Sequence, residues 1–266
     1  MDLNQGHRVI WTRKKIADFW NHFEYTPKMQ NRHFSKQRGL SLLRILKKTI
    51  QLETPILDLG CGSGHLLSLL LKDGIESWGA DISESSIEIV NNRFNKDVNF
   101  KGIKKLIEGE ALPFESNSIG TVFLIETIEH LFEENLHTIL NDVHKIMKKD
   151  GFLVVTTPNR EKLEENEILC PNCECKFHRV QHIRSFDSGI LRSTVEKAGF
   201  ETIRCGPEIL LPDIKVWLSA QKHGGSNIVC CPDCFHKIEV KTKKILSRLE
   251  KIFLELRHLV CVAKKR

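Results

Sequence analysis

Three groups of residues carry side chains able to do chemistry at spacings that gather them. Glu126-x-x-Glu129-His130 sets two carboxylates and an imidazole at positions i, i+3 and i+4, one face of a helical turn. Together they can hold a divalent ion such as Mg²⁺ or Mn²⁺ with open positions, or act as general bases. In the second role His130 is the base and Glu129 orients it. Cys170-Pro171-Asn172-Cys173 and Cys231-Pro232-Asp233-Cys234 are two C-P-x-C turns. Each bend supplies two thiolates, and two bends make one closed tetrahedral zinc site. Cys170, Cys173, Cys231 and Cys234 are its four ligands, with Cys175 and Cys230 as spares; the alternative is a set of unpaired reduced thiols.

The third group is Asp58-Leu59-Gly60-Cys61-Gly62-Ser63-Gly64, at the end of the apolar run Ile56-Leu57. Glycines at alternate positions let the backbone bend sharply and approach a ligand closely. The helix that follows turns its first N–H groups toward that ligand. A dinucleotide site would need G-x-G-x-x-G, with a third glycine at position 65. Position 65 is His, so the spacing is G-x-G-x-G. Asp81, after Ser77-Trp78-Gly79-Ala80, can accept hydrogen bonds from two vicinal hydroxyls at once.

Alternating strands and helices must position these groups. Leu66–Leu71, Ser85–Phe94, Glu133–Lys149 and Ser188–Ala198 read as helices between apolar strands, which predicts a parallel sheet. Residues 11–50 read as a helical lid, with Trp11, Phe19, Trp20, Phe23, Tyr25 and Phe34 ahead of a leucine-rich helix. Near the end, Ile245, Leu249, Ile252 and Leu256 form a short packing stripe before the strand Leu259–Ala263.

The residues from Ile56 to Gly64, with Asp81, Ala111-Leu112-Pro113-Phe114, Thr121–Glu126 and Phe152–Asn159, resemble the motifs of the class I S-adenosylmethionine (SAM) methyltransferases. Within that superfamily the chain is similar to methyltransferase types 11 and 12, with a zinc-knuckle insertion around Cys170–Phe186. The resemblance implies an α/β, doubly wound, mostly parallel sheet of seven strands, Rossmann-like, whose last strand is antiparallel. It implies SAM contacts at Asp58, Gly60, Gly62, Gly64, Asp81, Ile82 and Glu126. The pattern E-x-x-E-H resembles the ubiquinone-biosynthesis O-methyltransferases and the small-RNA 2′-O-methyltransferases. That likeness implies a divalent metal at Glu126, Glu129 and His130, joined by His182 or His178; other members carry E-H here without metal. There are two departures. The acid that often contacts adenine has Ile103 or Glu110 as its counterpart, and the acid that often opens strand four is Gly120.

The domain reading is a lid at 1–53 and a methyltransferase domain at 54–266, with insertions at about 165–184 and 206–240. The net charge of +6 is segregated. Residues 1–50 hold eleven Lys/Arg against three Asp/Glu, and 237–266 hold ten against three, while 51–236 are acidic overall. The termini are either solvated helices or one basic face for phosphates, RNA or anionic lipid. No apolar leader or membrane-spanning run is read, so a cytoplasmic enzyme is expected. The expected activity is methylation of a small-molecule hydroxyl. The alternatives are metal-dependent 2′-O-methylation of RNA and a zinc-bearing binding module with a degenerate SAM pocket.

Overall fold

The structure is a computed structural model that describes residues 6–25, 33–107, 109–214, 216, 226–241 and 258–266. The basic run at 242–257, with Lys243, Lys244 and the apolar stripe, lies outside the described residues.

Seven strands form one sheet: β1 (Ile56–Leu59), β2 (Ser77–Asp81), β3 (Phe100–Lys105), β4 (Ile119–Ile125), β5 (Met147–Pro158), β8 (Phe200–Glu208) and β11 (His258–Lys265). Their order is β3-β2-β1-β4-β5-β11-β8. The first five pair in parallel, and β11 runs antiparallel between β5 and β8. The fold is the one the motifs imply. The strand order reverses beside β1, and in open α/β sheets ligands bind at such a switch point, beyond the carboxyl ends of the strands.

Side chains alternate between two cores, as a strand period of two requires. Leu57, Val122, Leu124, Leu153 and Val155 pack on one face against Leu136, Leu140, Leu191 and Val195. Those partners come from α5 (Glu133–Ile146) and α6 (Ser188–Lys197). Ile56, Phe123 and Val154 pack on the other face against Leu42, Leu43, Leu46, Leu66 and Leu70, from α2 (Phe34–Thr49) and α3 (His65–Lys72). Ser83 caps α4 (Glu84–Phe94) by accepting a hydrogen bond from the Ser86 amide.

The helix expected over Glu133–Lys149 stops at Ile146. Met147 pairs with Ile119 at the start of β5, while the Asn117 and Ser118 amides take the carbonyls of Lys145 and Ile146. Lys148 then reaches the Thr54 carbonyl at 2.8 Å.

The insertions are two small hairpins, β6 (Glu167–Leu169) with β7 (Lys176–His178) and β9 (Ser226–Cys230) with β10 (Lys237–Lys241). Together with α1 (Arg13–Tyr25) they share a separate core of Phe19, Phe23, Cys170, Cys175, Phe177, Val229 and Cys231. Lys14 pairs with Asp18 within α1, and Lys15 pairs with Asp233 of the second cysteine turn.

Gly120 has a steric reason to lack a side chain: a Cβ there would sit 2.5 Å from the backbone of Glu53. Gly120→Asp should therefore destabilise the protein by roughly 1–3 kcal/mol, read as a lower urea midpoint. An unchanged midpoint would show that the β4 edge has room to spare.

Candidate active site

The glycine turn forms one wall of a cavity of about 600 Å³ at the carboxyl edge of the sheet. Gly60 and Gly62 have φ of 81° and 49°, a left-handed conformation that glycine adopts without steric cost. Asp81 ends β2 with both oxygens engaged. The Gly62 amide donates to Oδ2 at 2.8 Å and the Ser83 amide to Oδ1 at 2.9 Å. Each oxygen keeps a lone pair for a ligand hydroxyl. Asp58, Gly60, Gly62, Asp81, Ile82 and Glu126 all line the cavity. Gly64 does not; a Cβ there would strike Phe94 and Val90, so its role is packing. Of the two residues at the adenine-contact position, Glu110 lies on the wall, whereas Ile103 packs beneath Gly79.

Helix α1 packs against the residues that follow Asp81. Asn21 of α1 accepts from the Ser83 hydroxyl at 2.9 Å and from the Ser85 amide at 3.3 Å. Ile16, Trp20, Phe23, His33 and Phe34 complete the cavity roof.

The acid–histidine group departs from the helical-face expectation. Glu126 leaves β4 with φ of 49°, and the 3₁₀ turn Ile128–His130 begins only after it. Its Oε1 accepts from the Thr156 hydroxyl at 2.8 Å and its Oε2 lies 3.1 Å from His258 Nδ1. Glu126 thus faces the cavity apart from Glu129 and His130. His182 takes its place: ligand atoms of Glu129, His130 and His182 lie within 4.8 Å of one another.

Glu129 is 1% exposed, and neither carboxylate oxygen has a hydrogen-bond partner. Burial, then the nearby Glu126, pushes it well above the carboxylate range. Burial, then the neighbouring His182, pushes His130 well below the ordinary imidazole value. His130 Nδ1 sits 3.2 Å from the Gln181 carbonyl. A carbonyl only accepts, so Nδ1 carries the proton and Nε2 of the neutral ring keeps its lone pair.

Residues without a sequence signal complete the site. Gln181, fully buried with φ of 59°, accepts from Trp20 Nε1 at 2.8 Å and donates to the His130 carbonyl at 3.3 Å. Glu161 pairs with His182 Nδ1 and lies 3.4 Å from His178 Nε2. Despite its burial, those two imidazoles hold Glu161 well below the carboxylate range.

The four cysteines expected to act together do meet, with ligand atoms within 4.8 Å of one another. Cys170 and Cys234 sulfurs are 3.6 Å apart, and Cys173 and Cys231 sulfurs 3.5 Å. A tetrahedron with Zn–S bonds of about 2.3 Å has edges near 3.8 Å, so the set fits zinc. Burial pushes the Cys173 and Cys231 thiols up to about 12, while a hydrogen bond with Asn172 draws Cys234 down to about 6. The spares lie apart from the set: Cys175 groups with His7 and Asp233, and Cys230 is 3.0 Å from His22 Nε2.

Comparison with known proteins agrees with this geometry. A family model described as a methyltransferase domain matches residues 29–204. A ubiquinone biosynthesis O-methyltransferase of Bartonella tribocorum is 29% identical over 105 residues, 40% of this chain and 41% of that protein. The chain thus spans about two fifths of that relative's length. An uncharacterised protein of Methanocaldococcus jannaschii is 26% identical over 76% of this chain and 81% of its own. Among solved structures, a chain from the complex between the Haloferax volcanii Trm112 methyltransferase activator and a methyltransferase shares the fold. Its TM-score is 0.64 at 18% identity, over 94% of this chain and 96% of that one.

Asp58 supplies a test of the turn. Burial, then the charge of Asp81, raises its carboxyl from 3.8 to about 8. The folded state thus keeps a proton that the unfolded state releases, and stability should fall as pH rises from about 4 to about 8. Asp58→Asn should remove that component, on the order of a few kcal/mol, from urea unfolding curves measured at pH 5 and pH 8.5. Identical pH profiles for the two proteins would contradict the assignment.

Proposed function

The chain belongs to the methyltransferase-domain family, with the fold of the class I SAM-dependent enzymes, and we propose that it transfers the methyl group of SAM to a hydroxyl of a small molecule. Asp81 would take the ribose hydroxyls, Gly60 and Gly62 would let the backbone reach the cofactor, and Ile82 with Leu112 would cover the adenine. Bound SAM supplies a methyl group already activated on a sulfonium, so the protein's task is chiefly alignment and proton removal.

One observation carries the acceptor reading: the Gln181 carbonyl fixes a neutral His130 with Nε2 bare, on the cavity that the glycine turn also lines. Nε2 is suited to take the proton of an acceptor hydroxyl as its oxygen attacks. Glu161, kept ionised by its histidines and felt electrostatically at His130, would stabilise the imidazolium so formed, with Glu129 packed beside the ring as its orienting partner. The roof of α1 favours a small acceptor over a polymer. With Glu126 outside the group, Glu129, His130 and His182 are one carboxylate and two imidazoles. Those donors match Mg²⁺ poorly, and the tautomer fixed by the Gln181 carbonyl favours proton abstraction by His130.

Radiolabelled SAM incubated with fractionated small molecules, RNA and protein should label the small-molecule fraction. His130→Ala should slow that transfer by roughly 10²–10⁴-fold, with no dependence on added Mn²⁺ or Mg²⁺. Full activity in His130→Ala would remove the base, and label in RNA alone would overturn the acceptor class. Calorimetry should find SAM binding abolished in Gly62→Val, where the added side chain fills the approach to the turn; unchanged affinity would overturn the cofactor assignment.

We also propose that Cys170, Cys173, Cys231 and Cys234 hold a structural zinc. Protein purified without chelator should contain one zinc per chain, and Cys173→Ser should lose the metal together with thermal stability. Metal-free protein of undiminished stability would rule the site out.

A further inference from the structure

Arg179 stands on the cavity wall two residues from Gln181, in the segment that orients His130. Its backbone is anchored, since its amide donates to the Asn166 carbonyl at 3.0 Å. Its guanidinium is not: among the described residues no carboxylate lies within ion-pair distance, and its Nε is buried without a hydrogen-bond partner. A buried guanidinium nitrogen without an acceptor is a costly arrangement, and a planar fork of donors matches a carboxylate or phosphate.

The nearest acid, Glu161, acts on Arg179 through its charge from beyond ion-pair distance and gives it no hydrogen bond. Glu161 accepts from Asn166 Nδ2 at 2.7 Å and from His182 Nδ1, and it also faces His178. Its oxygens are committed to the histidine group. Among the described residues the other arginine on the wall, Arg38, donates to the Leu210 carbonyl. Toward the glycine turn the wall carries Asp81, whose charge repels an anion. A second negative group on a ligand therefore has one well-suited place in this cavity, beside the histidines.

We infer that Arg179 binds an anionic group on the methyl acceptor, so that the acceptor is a small molecule bearing a carboxylate or phosphate besides the hydroxyl that is methylated. This rests on the methyltransferase reading and adds the substrate class to it. Arg179 is then a specificity residue: it holds the acceptor by its anionic end and presents the hydroxyl to His130 Nε2. The charge of Arg179 also separates acceptors of similar shape, because the neutral analogue leaves the guanidinium unpaired.

The test uses the full-length, zinc-loaded protein saturated with S-adenosylhomocysteine. Calorimetry would compare 4-hydroxybenzoate, its neutral amide 4-hydroxybenzamide, and phenyl phosphate. At least one anion should bind roughly tenfold or more tightly than the amide, and which one it is tells carboxylate from phosphate. Arg179→Gln should erase the difference, and Arg179→Lys should keep part of it; thermal melts of both variants establish that they fold. An amide that binds as well as both anions would overturn the inference. So would anions unaffected by Arg179→Gln, or no retention of either anion at about 10 mM. Wild-type protein that fails to bind S-adenosylhomocysteine would instead overturn the methyltransferase reading, and the inference with it.

Discussion

Thiolates repel one another unless a cation lies among them, and four cysteines from chain segments some sixty residues apart converge here in one cluster. Much of the acceptor side depends on that convergence. The two hairpins that carry the cysteines make a common core with Phe19 and Phe23 of the lid helix. That core sets the position of Trp20, whose indole donates to Gln181. Gln181 in turn fixes the tautomer of His130 through its carbonyl. The zinc proposed for that cluster would thereby govern the orientation of the proposed base, through packing and three hydrogen bonds. Burial holds the Cys173 and Cys231 thiols toward their protonated form, so a metal ion binding there would displace those protons.

The cofactor side rests on a different balance. Asp58 and Asp81 are both buried beside the glycine turn, and Asp81 is the one stabilised by two backbone amides. Asp58, without such partners and facing Asp81, keeps its proton to higher pH. A ligand carrying positive charge would relieve this strain, and SAM carries it on the sulfonium and the amino group. At the other end of the cavity Glu129 is likewise buried and held toward its neutral form, while Glu161 is kept ionised by histidines. Two carboxyls beside His182 are thus driven in opposite directions, Glu129 by its deeper burial and Glu161 by its histidines, the kind of separation that assigns proton-handling roles.

The local motifs were legible because each is short and obeys strict geometry. The glycine turn, the acid at the end of β2 and the strand–helix alternation point to the observed sheet. The two C-P-x-C turns meet because their connections leave the same edge of it. Long-range pairings were less accessible. The spacing of Glu126, Glu129 and His130 implies one helical face, but the positive φ at Glu126 breaks that face before it starts. Gln181, Glu161 and Arg179 belong to no periodic pattern, and their importance comes from what the fold brings opposite them. Lys15 belongs to the basic N-terminal segment, read as either solvated helix or basic face, and its partner Asp233 lies in the second cysteine turn. The Glu133 helix ended early because the pull of Met147 into the sheet outweighs the helix propensity of the lysines that follow.

A crystal structure of the zinc-loaded protein with S-adenosylhomocysteine would test the central claim most directly, because it locates cofactor, lid and base in one measurement. On this account the ribose hydroxyls lie on Asp81, the thioether sulfur opens toward His130 Nε2, and Trp20 remains bonded to Gln181 above them. A cofactor product bound away from the glycine turn, or a His130 ring turned from the sulfur with Nδ1 released from the Gln181 carbonyl, would contradict it.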